Sequence, residues 1–294
     1  MKPAPFAYVR PASLEEALAA LADDPGAKVL AGGQSLVPLL SMRLAAPGRL
    51  VDINALPDLA HVRSTADGVR VGALARHADV LADADAARVQ PLVALALANV
   101  AHPTIRNRGT TVGSIVHADA AAEMPVVLRL LGGSVEVASV RGTRTIHADD
   151  LYVGPLETSL AHDEIATSAF FPALAPGAGV AFDEIARRHG DYALCGVAAL
   201  VRLDGGSVVE ARAGYLSVNE MPTVVDLTDA LSAGVDDDSL AAAAEVALAG
   251  LDPAADIHAT ADYRAQLTRV LTTRVLRAAY DYAVATRSTA ERNS

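Results

Sequence analysis

The chain lacks most of the features that would tie it to an obvious chemistry of its own. Among its 294 residues there is one cysteine, Cys195. That excludes an internal disulfide framework and any iron–sulfur cluster needing several thiolates from this chain. There is no dense basic run, and the formal net charge is -11, so nucleic acid and anionic membrane surfaces are not expected partners. The longest apolar run, residues 91–101, is too short to span a bilayer, and the opening Met1-Lys2-Pro3-Ala4-Pro5 has no apolar signal core. These absences lead us to expect a soluble, cytoplasmic protein of a reducing compartment. What remains is ample for folding: 52% hydrophobic and 20% charged residues support sizeable cores, and the length allows two or three domains.

What is present centres on Val29-Leu30-Ala31-Gly32-Gly33-Gln34-Ser35-Leu36. A short apolar strand runs into two glycines and two small polar residues, a turn in which the backbone can approach a ligand with no Cβ between them. No Gly-Lys-Ser/Thr follows, so it is not a Walker loop, and no third glycine completes a dinucleotide fingerprint. Alone, such a pair reads equally as an ordinary turn. A second unusual stretch, His102 to Asp119, is rich in hydroxyls, amides and glycine yet bounded by apolar segments, which predicts a buried, hydrogen-bonded loop.

Around these two stretches the pattern is mixed α and β. Ser13 and Glu16 fit a capping box ahead of Leu14, Ala17, Leu18 and Leu21 on one helical face. Residues 36–44 suggest a short helix or irregular wall, and residues 50–53 and 68–74 read as strands. Helices are expected over 78–89, 91–101 and 123–131, a hairpin over 135–145 around Arg141-Gly142, and a strand over 165–171. The Pro/Ala/Gly-rich residues 172–179 form the clearest boundary. Beyond it, residues 180–187, 195–203 and 208–218 are strand-like, with a turn at 204–207. Helices follow over 227–233, over 240–250 capped by Asp238, and over 263–286. The expected units are residues 1–57, 58–175 and 176–290.

A flavin dinucleotide needs donors for its pyrophosphate, a polar pocket for adenosine and a shielded face for its ring. Gly32 to Ser35 and Thr110 to Ser114 could supply the first through amides and hydroxyls without many cations. Asp119 could accept from a ribose hydroxyl, or equally cap a turn or helix. Other chemistries find less support. His102, His117 and His189 sit in separate segments without a compact ligand set. Cys195 has apolar neighbours that suit an inert core thiol. Ser35 lacks a nucleophile elbow, and Asp236-Asp237-Asp238 reads as a helix start rather than a calcium loop. Arg106 and Arg108 either brace the second loop or face a partner.

Taken together, Ala31-Gly32-Gly33-Gln34-Ser35-Leu36, Arg106-Asn107-Arg108-Gly109-Thr110 and His117-Ala118-Asp119 resemble the FAD-binding medium subunit of molybdenum hydroxylases, the family of carbon monoxide and xanthine dehydrogenases. The resemblance runs over essentially the whole chain, from Tyr8-Val9-Arg10-Pro11 onward. It implies an α+β architecture: a vanillyl-alcohol-oxidase-like (PCMH-type) FAD-binding fold of two α+β subdomains, then a smaller antiparallel sheet with helices. It also implies non-covalent FAD, with Leu30, Ala31, Gly32, Gly33, Gln34, Ser35, Leu36, Ala101, Thr110, Thr111, Val112, Gly113 and Ser114 as cofactor-binding positions. Asp119 becomes the adenosine-side acceptor and Tyr192 the residue against the flavin ring. One departure stands out. Val112 occupies a place where the family usually has glycine, which would set a branched Cβ beside the phosphates and bar a positive φ.

The function implied is electron transfer within a heterotrimer to an external acceptor, with no catalytic acid, base or nucleophile supplied by this chain. Electrons would arrive from a small [2Fe-2S] subunit, beside a large molybdenum-cofactor subunit, in a dimer of heterotrimers. A stand-alone flavin oxidase or reductase and a flavin-free scaffold are the alternatives.

Overall fold

A computed structural model describes residues 2–293, with side chains described through residue 286. Three larger sheets follow one another along the described residues, and a two-stranded ribbon pairs Tyr152–Gly154 with Glu157–Thr158. In the first, Arg49–Asp52 lies between Ala7–Val9 and Ala27–Leu30 with both neighbours parallel. The helix Leu14–Ala22 makes the crossover and buries Ala17, Leu18 and Leu21. Its cap differs slightly from the expected box: Ser13 Oγ accepts from the Glu16 amide at 3.1 Å, but Glu16 reaches one residue further back, to the Ala12 amide at 2.8 Å.

The second sheet is antiparallel, ordered Val62–Ser64, Gly68–Gly72, Ile165–Pro172, Ser134–Ser139 and Gly142–His147. The hairpin around Arg141-Gly142 lies where it was expected. The helix expected over 78–89 is two helices, His77–Ala82 and Ala84–Val89. Asp83 divides them by leaving helical geometry and accepting from the Ala86 amide at 2.8 Å, as an N-cap aspartate does. The stretch expected to be a loop over 102–119 contains two short helices, Pro103–Arg106 and Thr111–His117. Pro103 is preorganised at the first position of one, and Thr110 caps the other through Gly113 N–H at 3.2 Å.

The third sheet is antiparallel: Ala178–Ala186, Ala193–Asp204, Ser207–Leu216 and Thr223–Asp226. Strand Ala193–Asp204 is buried on both faces, and its alternation divides two cores. Cys195, Val197, Ala199 and Val201 pack with helices Asp237–Ala249 and Ala261–Asn293. Ala198 and Leu200 turn to the larger core containing helices Pro91–Leu97 and Glu123–Leu130. The cap of Asp237–Ala249 is Asp236, not Asp238. Asp236 is extended, accepts from the Ser239 amide at 2.8 Å, and donates its own amide to Ser239 Oγ at 2.9 Å. Cys195 is buried, and desolvation pushes its thiol up to about 11, as suits an inert core thiol. Short strands such as Ala7–Val9, Tyr152–Gly154 and Thr223–Asp226 carried no sequence signal strong enough to separate them from loop. No described helix is long and apolar enough to cross a membrane.

Candidate functional site

The fold brings the two glycine-bearing loops into contact. Strand Ala27–Leu30 delivers the first at its C-terminal end, and Gly33 turns it with φ +72° before helix Leu36–Met42. Gly32 lies directly on the second loop. A Cβ added there would collide with the Arg108 carbonyl oxygen and come within 2.8 Å of Gly109 Cα and 3.0 Å of Thr110 N. All three obstacles are backbone, so only glycine allows this approach.

The loops differ in what they leave available. In the first, Val37 N–H donates to Gly33 O and Gln34 Nε2 to Gly32 O. Among the described residues, the amides of Gly32, Gly33, Gln34 and Ser35 are paired with no protein acceptor. In the second, Thr111 N–H donates to Ala75 O, Gly113 N–H to Thr110 Oγ1 and Ser114 N–H to Thr110 O. The second loop therefore spends three of its five amides on protein acceptors, two of them at its own helix start, and offers hydroxyl-bearing Ser114 and the amides of Thr110 and Val112. Unpaired backbone amides beside a close glycine contact are the kind of donors a diphosphate takes.

Val112 is not where its Cβ would meet such a ligand. It is 2% exposed, packs in the larger core and sits in helical geometry within Thr111–His117. The expectation of a branched Cβ crowding the phosphates is thus corrected: the side chain points inward, and no positive φ is needed. Val112→Gly should accordingly destabilise the fold rather than tighten a ligand. Losing a buried valine costs roughly 1.5–3 kcal/mol and placing glycine in a helix about 1 kcal/mol more. A urea titration of both proteins checks it; equal midpoints would contradict the inward placement.

Beneath the loops lies a polar network that sequence reasoning missed. Tyr8 donates its hydroxyl to Asp52 Oδ2, and Asp52 Oδ1 accepts from Asn54 Nδ2 at 2.6 Å. Asn54 Nδ2 also donates to Ala31 O at 2.9 Å, and Asn54 Oδ1 accepts from Arg76 Nη2 at 2.8 Å. Arg76 Nη1 completes the path at Arg108 O, 2.7 Å. Nothing in the local pattern of Asp52-Ile53-Asn54 distinguishes this from a strand end. Beside it, His77 is buried and touches Thr111 Oγ1 through Nδ1 at 3.2 Å; burial, then the charge of Arg106, lowers it to about 4, so the ring is neutral at neutral pH.

Three other expected residues meet elsewhere, in a cleft of ≈ 760 Å³ between the second and third sheets' helices and loops. Ala101, Asp119 and Tyr192 all line it. Tyr192 is 67% exposed, so its ring stands in the cleft instead of packing in a core. Asp119 caps a turn through Ala121 N–H at 2.9 Å while still facing the cleft, so its two readings are compatible. Ala101 has φ +44°, and Arg106 braces it by donating to Val100 O at 2.8 Å and Ala101 O at 3.0 Å. Arg106 thus ties its short helix back to the turn at residues 100–101. Opposite, Asn219, Glu220 and His258 complete walls that no motif announced. Among the described residues no group of three His, Cys, Asp or Glu side chains is placed to hold a metal ion.

Comparison with known proteins identifies the family. Residues 4–174 match the family described as FAD binding domain in molybdopterin dehydrogenase, and residues 180–279 match the CO dehydrogenase flavoprotein C-terminal domain. The chain belongs to the family of FAD-binding medium subunits of molybdenum-containing dehydrogenases, oxidoreductase subunits of α+β, PCMH-type fold. It is 43% identical to the 6-hydroxypseudooxynicotine dehydrogenase complex subunit alpha of Paenarthrobacter nicotinovorans, with 94% of this chain and 95% of that one covered. It is 32% identical to the carbon monoxide dehydrogenase medium chain of Hydrogenophaga pseudoflava, covering 95% and 99%. Among solved structures, quinoline 2-oxidoreductase from Pseudomonas putida 86 superposes with a TM-score of 0.90 at 39% identity, covering 96% of this chain and 99% of that one.

Proposed function

We propose that this chain holds FAD without a covalent link and relays electrons within a three-subunit molybdenum hydroxylase. The observation that carries the reading is the contact of the two loops across Gly32, beside four amides with no protein acceptor. In this reading the diphosphate lies against Leu30 to Leu36 and against Thr110 to Ser114, with Val112 contributing only its amide and Thr111, its amide bonded to Ala75 O, holding the turn in place. Ala101, Asp119 and Tyr192 bound the cleft that takes the rest of the cofactor. When bound, FAD supplies the capacity to take electrons from one partner and give them to another. The chain's own residues bind it, orient it and limit its exposure to water. Electrons arrive from a small subunit with [2Fe-2S] clusters, originate at a large subunit with the molybdenum cofactor, and leave to an external acceptor. A dimer of such heterotrimers in the cytoplasm is the expected assembly. The units 1–57 and 58–175 form the flavin-binding part and 176–290 the closing domain, each built around one of the three larger sheets.

Two measurements test this. Acid precipitation of the purified yellow protein should release all colour into the supernatant; colour held in the pellet would contradict non-covalent binding. The isolated chain should be reducible by dithionite yet oxidise no hydroxylase substrate, and adding the two partner subunits should restore electron flow to a dye. Rapid substrate oxidation by this chain alone, free of molybdenum and iron by metal analysis, would overturn the relay.

A further inference from the structure

The amides of the first loop that face a ligand are held by no protein acceptor, so something else must fix where that loop stands. Its hydrogen bonds beyond its own turn and strand run through one side chain. Asn54 Nδ2 donates to Ala31 O at 2.9 Å and lies 3.5 Å from Leu30 O. The orientation of the Asn54 amide is dictated by its neighbours. Ala31 O and the Asp52 carboxylate are acceptors and require the NH₂ group, while the Arg76 guanidinium is a donor and requires the carbonyl. Reversing the amide would set its one oxygen against two acceptors and its NH₂ group against a donor.

Arg76 then spans the gap to the second loop. Its main chain already pairs with Thr110 as an isolated antiparallel bridge, with His77 N–H on Gly109 O at 3.0 Å. Its side chain divides its two terminal nitrogens between Asn54 Oδ1 and Arg108 O. A planar fork with fixed donor directions suits such a span, whereas a lysine ammonium is a point charge on a flexible stem.

We propose that Arg76 is a positioning residue: by bridging Asn54 to the Arg108 carbonyl it sets the separation of the two flavin-binding loops, with Tyr8 and Asp52 locking Asn54 in place. The proposal rests on the flavin-binding reading above. It goes beyond that reading by assigning the spacing of the loops to a bridge outside both of them.

The test uses the full chain stripped of flavin, with FAD titrated by fluorescence quenching and amide hydrogen exchange followed in the absence of FAD. Arg76→Met should weaken FAD binding about tenfold or more, the range expected for losing a hydrogen bond to a charged group. Asn54→Ala should do the same, and the double variant should be little worse than either single one, since both cut the same path. Arg76→Lys should recover little, because charge is kept but the span is lost. Exchange at the bonded amides of Val37 and Thr111 should quicken in Arg76→Met, while the sheet over 178–226 stays protected. Wild-type affinity in Arg76→Lys would show that charge acts alone and would overturn the bridge; so would unchanged affinity in Arg76→Met or additive losses in the double variant. Should Arg76→Met fail to fold, Asn54→Ala and Arg76→Lys decide alone. Should the wild-type chain take no FAD, the flavin reading fails, and the exchange comparison still decides whether Arg76 ties the loops.

Discussion

Gly32→Ala is expected to strip the protein of FAD while leaving the distal sheet and its helices folded. The added methyl has nowhere to go: it meets the Arg108 carbonyl oxygen, Gly109 Cα at 2.8 Å and Thr110 N at 3.0 Å. These atoms belong to a backbone already bonded to Arg76 and His77, so relief requires the two loops to part. Overpacking of this kind costs about 1–3 kcal/mol, and a ligand gripped by both loops would lose affinity at least tenfold for that displacement. Gly33→Ala makes an instructive companion. Gly33 needs its positive φ, which costs a non-glycine residue roughly 1–2 kcal/mol, but its nearest obstacles are the side-chain tips of Leu30 and Val37 at 3.2 Å, which can give way. The ratio of flavin to protein after purification should therefore fall further for Gly32→Ala than for Gly33→Ala. A Gly32→Ala protein with full flavin would refute the account of loop contact.

The two glycine stretches were legible because backbone approach demands a residue type that sequence displays openly. Gly32 and Gly109 appear as glycines whether or not the fold is known, and the structure then supplies the reason. The alternation in Ala193–Asp204 was equally readable, although sequence could not tell that the strand is covered on both faces by two different cores. Val112 shows the limit. From the chain alone it stands inside a ligand loop; in the fold the same segment is helical, and helical spacing turns residue 112 inward with Ile115. The network of Tyr8, Asp52, Asn54 and Arg76 was illegible for another reason. Its members are ordinary polar residues whose bonded partners lie up to 44 positions apart, and only tertiary contact makes them a unit. The cleft likewise gathers walls from five separated stretches, of which sequence marked just Ala101, Asp119 and the segment around Tyr192.

Behind the cleft, two glutamates should make the flavin-free protein lose stability as pH rises through neutrality. Glu123 opens helix Glu123–Leu130 and is buried; desolvation first, then the nearby Glu184 charge, push it up to about 8. Glu184 lies on strand Ala178–Ala186 with Oε2 buried and unpaired, and burial followed by Asp183 raises it to about 7. In the unfolded chain both ionise near the ordinary glutamate value, so between that value and their raised ones the folded state holds more protons. Stability then falls as pH rises, by about 1.4 kcal/mol per unit for each group still protonated in the fold. Below pH 6.5 the effect is partly offset, because His77, lowered to about 4 by burial, is protonated only on unfolding and makes stability rise with pH there. Above pH 6.5 the histidine's opposing contribution fades as the unfolded-state imidazole loses its proton, and the two glutamates dominate among these three groups. Between pH 6.5 and 8 the unfolding free energy should drop by about 2–3 kcal/mol, most of it through Glu123. Glu123→Gln should remove the larger part of that slope and Glu184→Gln the smaller part, since an amide of the same shape carries no titrating proton. Urea midpoints of the three proteins at pH 6.5, 7.2 and 8 provide the measurement. Parallel curves for wild type and Glu123→Gln would mean that the Glu123 carboxyl is already ionised in the fold, and that the protein accommodates its charge within the helix start.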